Sequence, residues 1–378
     1  MRFLRACGNG FVAAFALFVC ALEIAGTLPS PILPLLALSV TVPEVAPFAL
    51  VLAIVVGLVA WRFARGRSRR IALGAVLLAS FLALVPLVEF PFAAKAAQSE
   101  LRGALANLPT ARSQRADGPF RFEVLENRRV VLRDGTALGL DVYRSAAPGA
   151  RPTLVTIYGG AWIFGSRRDT RSIDEAYAAR GYTVVAIDYR HAPKFRFPTQ
   201  VDDVRDALST IAKHAAEWHV DRDRVALFGR SAGAELALLA AYGPAPVRVR
   251  AVVGFYTPTD LIAGYQSPPR PDPADVRAIL RAYLGGPPGP PRVEAYRAAS
   301  PLAHVRTGLP PTLLVVGLRD SLITPDMQRA LRDALRARGN RVAAVEIPWS
   351  NHAFDNVPGG LGTRIAEPLT REFLAATI

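Results

Sequence analysis

A serine between two glycines sits at a strand-to-helix joint, in Gly229-Arg230-Ser231-Ala232-Gly233. The apolar run Val225–Phe228 leads in, and the Ala/Leu-rich segment to Tyr242 leads out. This G-x-S-x-G arrangement is the nucleophile elbow, a turn so tight that its serine adopts a strained backbone and its Oγ stands clear of the sheet. Glycines two positions away on either side make room for the turn. The helix that begins at Ala232 points its N-terminal amides at the place where negative charge would develop. Serine alone is a weak nucleophile and needs a base, which in turn needs an orienting acid.

Downstream of Ser231 there are two histidines, His304 and His352. His352 follows the last apolar run, Val342–Ile347, in a loop suited to deliver a base, whereas His304 precedes a strand. His352 is therefore the expected base. The run Leu313–Gly317 ends close to Asp320, which makes Asp320 the expected acid, with Asp326 and Asp355 as alternatives. The segment Tyr158-Gly159-Gly160-Ala161-Trp162 follows another strand-like run. Small residues there let the amides around Gly159, Gly160 and Ala161, together with that of Ala232, face a substrate oxyanion; each such donor is worth ~3 kcal/mol in a transition state.

The elements that must hold these groups alternate along the chain. Strands are predicted at 120–124, 128–132, 138–143, 153–158, 183–188, 224–228, 251–256, 311–317 and 342–347. The later ones are nearly continuous apolar runs, as parallel strands buried on both faces require. Helical patterns at 172–180, 200–217, 232–242 and 325–338 fall between them, so the order is βαβα with an antiparallel start. The interval 261–305 has no strand. It holds two proline-rich stretches around a short helical pattern at 274–284, and long insertions of this kind often lie over an active site.

From Met1 to Glu100 the composition is different. Only Glu23, Glu44, Glu89 and Glu100 are acidic, and three uncharged runs of 17 or 18 residues stand out. With their flanks they approach the ~20 residues needed to cross a bilayer. Three spans are expected, near 9–28, 45–62 and 71–90. The proline-rich piece between the first two has an apolar part of 11 residues, Ile32–Val42, too short to span, and is expected as a connector. Arg2 and Arg5 precede the first span, and Arg62, Arg65, Arg67, Arg69 and Arg70 lie between the second and third. By the excess of positive charge on cytoplasmic loops, both regions lie inside and the folded domain outside. The expected organisation is a membrane region at 1–92, a linker or juxtamembrane helix at 93–119, where Leu101, Leu105 and Leu108 share a helical face, and a catalytic domain at 120–378.

The formal charge of +14 does not point to nucleic acid: the arginines are scattered among acids and no binding motif accompanies them. Cys7 and Cys20 both fall in the first apolar run, so the folded domain has neither a disulfide framework nor a cysteine zinc site.

Taken in order, Y-G-G-A-W-I-F-G-S (158–166), D-Y-R-H-A-P (188–193), F-P-T-Q-V-D-D (197–203), G-R-S-A-G (229–233), S-P-L-A-H-V (300–305), L-P-P-T-L-L-V-V-G-L-R-D (309–320) and N-H-A-F (351–354) resemble the α/β-hydrolase fold in its esterase branch. The likeness is to hormone-sensitive-lipase-like carboxylesterases and feruloyl-esterase-like acylhydrolases, and it covers residues 120 to 378. It implies that Ser231 is acylated, His352 relays the proton and Asp320 orients the imidazole, with no metal or organic cofactor. The implied partner is an ester substrate, associated with lipid or the cell envelope if the anchor governs access. An acyltransferase with the same triad, or a binding module without turnover, are the alternatives. Tyr158 departs from the resemblance, which has His-Gly-Gly at this place; its phenol is expected to brace the oxyanion loop. Arg230 is also unusual there, and is expected either to meet an anionic substrate group or to face solvent.

Overall fold

The computed structural model describes residues 2–106 and 120–378, so Leu108 and the rest of the expected linker after 106 lie outside the described residues. Eight strands form one sheet: β1 (Phe122–Val131), β2 (Ala137–Ser145), β3 (Arg151–Ile157), β4 (Thr183–Ile187), β5 (Val220–Arg230), β6 (Val249–Phe255), β7 (Thr312–Gly317) and β8 (Val342–Ile347). Their order is β1-β2-β4-β3-β5-β6-β7-β8. β2 runs antiparallel to both neighbours and every other pair is parallel, which is the sheet expected of an α/β-hydrolase. The two strands expected at 120–124 and 128–132 are one. A bulge between Leu125 and Arg128 lets a single strand keep its pairing with β2, with Asn127 at positive φ and its amide donating to Asp141.

Successive residues of the central strands enter opposite cores. On one face Val155 and Leu227 share a core with helix residues such as Val204, Leu208, Leu236 and Leu239. On the other, Leu154, Ala226, Phe228 and Val253 are covered by residues such as Leu101, Leu369 and Phe373. The described helices are α1 (Arg2–Thr27), α2 (Leu33–Glu44), α3 (Ala46–Phe63), α4 (Gly66–Leu105), α5 (Arg171–Ala178), α6 (Thr199–Lys213), α7 (Ala232–Tyr242), α8 (Leu261–Gln266), α9 (Val276–Leu284), α10 (Val293–Ala298), α11 (Pro325–Ala337) and α12 (Leu361–Thr377). No helix is expected from the sequence at 361–377, where Pro368 interrupts the pattern. The helix forms because Ile365, Leu369 and Phe373 make one apolar stripe against the sheet.

α1, α3 and α4 are long and apolar enough to cross a membrane. Their mutual seam is built from small residues: Ala16, Ala53, Ala60, Ala72, Ala75 and Ala79 are buried. Large apolar side chains point outward instead, among them Phe11, Phe48, Leu58, Trp61, Leu77 and Phe81. Water-soluble bundles do the reverse, whereas close helix contact through small residues is what hydrocarbon surroundings favour. The piece expected as a connector is the short helix α2. Pro34 sits in its first turn, where a missing N–H costs nothing. α4 runs unbroken through Pro86 and Pro91 for 40 residues, about 60 Å, from the α1–α3 bundle onto the sheet. Its Ala93, Ala97 and Leu101 belong to the same core as the strands.

Candidate active site

Ser231 lies between the last residue of β5 and the first of α7, with φ 51° and ψ −122°. A non-glycine residue in that region carries roughly 1–3 kcal/mol of strain and persists only where its surroundings over-determine it. Here they do. The Ser231 amide donates to the Phe255 carbonyl at 2.9 Å, and the Ser231 carbonyl accepts from Ala234 N–H at 2.9 Å. A Cβ on Gly229 would fall 2.2 Å from the Gly233 carbonyl, and one on Gly233 would fall 2.2 Å from that of Tyr158. The two glycines of the motif are thus required by close backbone approach.

His352 leaves the loop after β8 and turns its Nε2 to 3.0 Å from Ser231 Oγ. Its Nδ1 lies 2.9 and 3.1 Å from the two carboxylate oxygens of Asp320. Nδ1 must carry the proton to make those bonds, which leaves Nε2 free to accept from the serine. Asp320 is buried and also accepts from the amides of Leu322 and Ile323, at 2.9 and 2.8 Å. The alternatives for the acid go elsewhere. Asp326 pairs with Arg329 at the surface, and Asp355 accepts from Tyr256 Oη at 2.7 Å and from Arg230. His304 bonds the Ala298 carbonyl.

Gly160, Ala161 and Trp162 all have positive φ, so the backbone after β3 coils back beside Ser231. Among the described residues, the amides of Gly160, Ala161 and Ala232 have no hydrogen-bond acceptor. Gly159 lies against the elbow itself, where an added Cβ would meet Ser231 Cβ at 3.2 Å.

The Tyr158 phenol lies 3.2 Å from the Tyr189 carbonyl and 2.8 Å from His191 Nε2. Both bonds are made when the phenol donates to the carbonyl and the imidazole N–H donates to the phenol. Burial pushes the Tyr158 hydroxyl up from its ordinary range, so it keeps its proton, and burial pulls His191 down. The Tyr189 ring stacks on Tyr158 at 4.4 Å and its hydroxyl donates to the Gly159 carbonyl at 3.1 Å. Sequence reasoning quoted Tyr189 and His191 inside a motif without assigning them this work. It also missed Glu235, fully buried in α7, which accepts from Trp162 Nε1 at 3.1 Å and Tyr283 Oη at 3.2 Å. An acid one helical turn after the serine, in an otherwise apolar helix, was the available signal.

Arg230 corrects the expectation made for it. It is buried and paired with Asp355, so it neither faces solvent nor reaches a substrate. The segment 261–305 holds three short helices and no strand, and its first part does reach the site. Leu261, Val276, Ile279 and Leu280, with Trp162 and Met327, line an apolar cavity of about 50 Å³ that opens at Ser231.

The BD-FAE family profile matches residues 140–335, just over half of the chain. The chain belongs to the BD-FAE family. Among curated relatives of this BD-FAE member, it is 32% identical over 237 residues to the probable carboxylic ester hydrolase LipM of Mycobacterium tuberculosis, covering 58% of this chain and 54% of that one. It is 32% identical over 253 residues to esterase LipC of the same organism, covering 62% and 61%. The chain therefore spans about half to three fifths of the length of these relatives. Among solved structures, an esterase of Pyrobaculum calidifontis superposes with TM-score 0.58 at 23% identity, covering 77% of this chain and 92% of the other. A thermophilic esterase of Thermogutta terrifontis superposes with TM-score 0.55 at 28% identity, covering 68% and 92%. The α/β-hydrolase fold is thereby shared with both.

Proposed function

We propose that this chain is a membrane-anchored serine hydrolase that cleaves carboxylic esters through an acyl-enzyme. The observation that carries this is the relay Ser231 Oγ to His352 Nε2 at 3.0 Å and His352 Nδ1 to Asp320 at 2.9 Å, beside three unpaired amides and an apolar cavity. The names of the curated relatives, ester hydrolase and esterase, support the same reading.

In the first half-reaction, Ser231 Oγ attacks the ester carbonyl carbon while His352 Nε2 takes its proton. The tetrahedral oxyanion accepts from the amides of Gly160, Ala161 and Ala232, with Gly159 shaping the loop. Asp320 stabilises the imidazolium without taking its proton. Collapse breaks the C–O bond to the alcohol, which leaves with the proton from His352. A water then gives its proton to His352 and attacks the acyl-serine, releasing the acid and restoring Ser231. The small apolar cavity suits a short acyl or alkyl group of the ester.

Anchoring is supported by the three long apolar helices with large side chains outward, and the arginines between the second and third favour a catalytic domain on the extracytoplasmic side. In this reading, 1–92 is the membrane region, 93–119 the juxtamembrane segment and 120–378 the catalytic domain.

The test uses detergent-purified full-length protein, p-nitrophenyl esters of graded chain length and a fluorophosphonate probe. Wild type should label once and turn over short esters, and Ser231→Ala should lose both, with turnover falling by at least ~10⁴-fold. A wild-type chain that does not label would leave a non-catalytic module as the reading. Labelling with turnover only when an alcohol acceptor is added would favour acyl transfer.

A further inference from the structure

The three residues that lead into His352 are each held by a side chain from the N-terminal helices. The Trp349 ring lies 6.1 Å from the ring of Phe90 in α4. Ser350 Oγ donates to Glu44 Oε1 at 2.5 Å, and Asn351 Nδ2 donates to Ser39 Oγ at 2.8 Å. Ser39 and Glu44 both belong to α2, and all four polar residues are buried. The second Glu44 oxygen accepts from the Gly362 amide at 2.5 Å, at the start of α12. Gly362 has a reason to lack a side chain: an added Cβ would stand 2.6 Å from Ser350 Oγ and 3.0 Å from Glu44 Oε1.

From these contacts the bonds continue into both legs of the catalytic relay. The Ser350 carbonyl accepts from Arg319 N–H at 3.1 Å, one residue before Asp320. Asn351 Oδ1 accepts from His352 N–H at 2.7 Å and from Ser321 N–H at 2.9 Å, one residue after Asp320. Asn351 Nδ2 also reaches Ser321 Oγ at 3.0 Å. A connector whose only task was to join two spans would have no use for a buried carboxyl, which is costly to desolvate. Burial pushes Glu44 up to about 7, against the hydrogen bonds from Ser350 and Gly362 that favour its charged form.

We propose that α2 braces the catalytic loop: Ser39 and Glu44 are positioning residues that hold Asn351 and Ser350, and through them hold His352 on Ser231. The N-terminal region is then part of the catalytic apparatus and not only a tether. This rests on the hydrolase reading of the site. It follows that disturbing α2 changes the rate of the chemical step while leaving the substrate cavity as it is, since neither residue lines that cavity.

The experiment uses the full chain in detergent, with active sites counted by the fluorophosphonate probe. Glu44→Gln keeps the shape but turns an amide nitrogen towards one of its two donors. Ser39→Ala and Ser350→Ala each remove one hydroxyl and no charge. Per labelled site, kcat on a short p-nitrophenyl ester and the rate constant for phosphonylation should both fall on the order of 10-fold, given that a 1 Å misplacement costs ~10²-fold. KM should stay within about twofold. The Glu44→Gln/Ser350→Ala double variant should be no slower than the slower single, because both break one interaction. Variants that match wild type per labelled site, whatever their melting temperature, would reduce α2 to packing and overturn the proposal. Should Glu44→Gln fail to fold, Ser39→Ala and Ser350→Ala decide the question by the same readouts. A wild type that does not label overturns the hydrolase reading and this proposal with it, whereas a labelled wild type with unaffected variants overturns this proposal alone.

Discussion

Tyr158 stands at the first position of the oxyanion loop and keeps both a hydrogen bond to the Tyr189 carbonyl and one to His191. Removing its hydroxyl leaves a buried carbonyl and a half-buried imidazole short of a partner, at about 1–3 kcal/mol for the buried group. Tyr158→Phe is therefore expected to lower kcat on the order of 10-fold with little change in KM, and to lower Tm. Unchanged kcat in steady-state assays would mean that ring stacking on Tyr189 suffices to hold the loop. Asp174 offers a separate test of buried charge. It accepts from Thr156 Oγ1 at 2.7 Å and Thr170 Oγ1 at 2.9 Å, and burial pushes its carboxyl up to about 7. Between the ordinary carboxylate range near 4 and about 7, the folded state holds a proton that the unfolded state releases. Stability from this group is therefore present at low pH and is lost as pH rises through that window, at a slope of up to ~1.4 kcal/mol per pH unit. Asp174→Asn, which stays neutral, should flatten the decline of Tm between pH 4 and 7. A parallel Tm–pH curve for the two proteins would show that Asp174 is charged in the fold.

Among the elements, α8 and α9 wall the cavity at Ser231, and Leu280 is a buried part of that wall. Leu280→Ala should widen the cavity and move the ester preference to longer chains, at a stability cost of ~2–5 kcal/mol. An unchanged chain-length profile would place the acyl group elsewhere. This wall was only half legible beforehand. Strands such as β5 and β7 announced themselves as apolar runs because both faces of a parallel sheet are buried, and the serine, histidine and acid positions followed from where those runs ended. Whether 261–305 reached the site was not legible, because proline-rich spacing says where regular structure stops and not where the chain goes next. The residues that hold the site were harder still. Tyr189, Glu235 and Asn351 act through partners far away in sequence, and no local pattern records those partners. α2 was read as a proline-rich connector because its apolar part, Ile32–Val42, is too short to span. Yet Pro34 falls in the first turn, where its missing N–H is no loss, and Pro43 gives up its hydrogen bond only one residue before the helix ends.

On the scale of the whole molecule, α4 decides how the two parts are joined. One continuous helix enters the bundle beside α1 and α3 and ends against the sheet. The same geometry sets which helix ends lie on the same side as the folded domain. α1 and α3 meet α2 at the end of the bundle that carries the folded domain, and the arginines at the end of α3 and the start of α4 lie at the opposite end. With Cys7 and Cys20 replaced by Ser and Ala, a single reporter cysteine can be read without background, because the rest of the chain has none. In intact cells, Ser209→Cys on the exposed side of α6 should react with a membrane-impermeant maleimide, while Ser68→Cys in the arginine-rich first turn of α4 should react only after the membrane is opened. The opposite pattern would put the catalytic domain in the cytoplasm, and equal reactivity of both would mean that α4 does not cross the membrane. The expected pattern would also set the edge of the sheet bearing His352, which α2 touches, at the outer face of the membrane, where an ester embedded in lipid has a short path to Ser231.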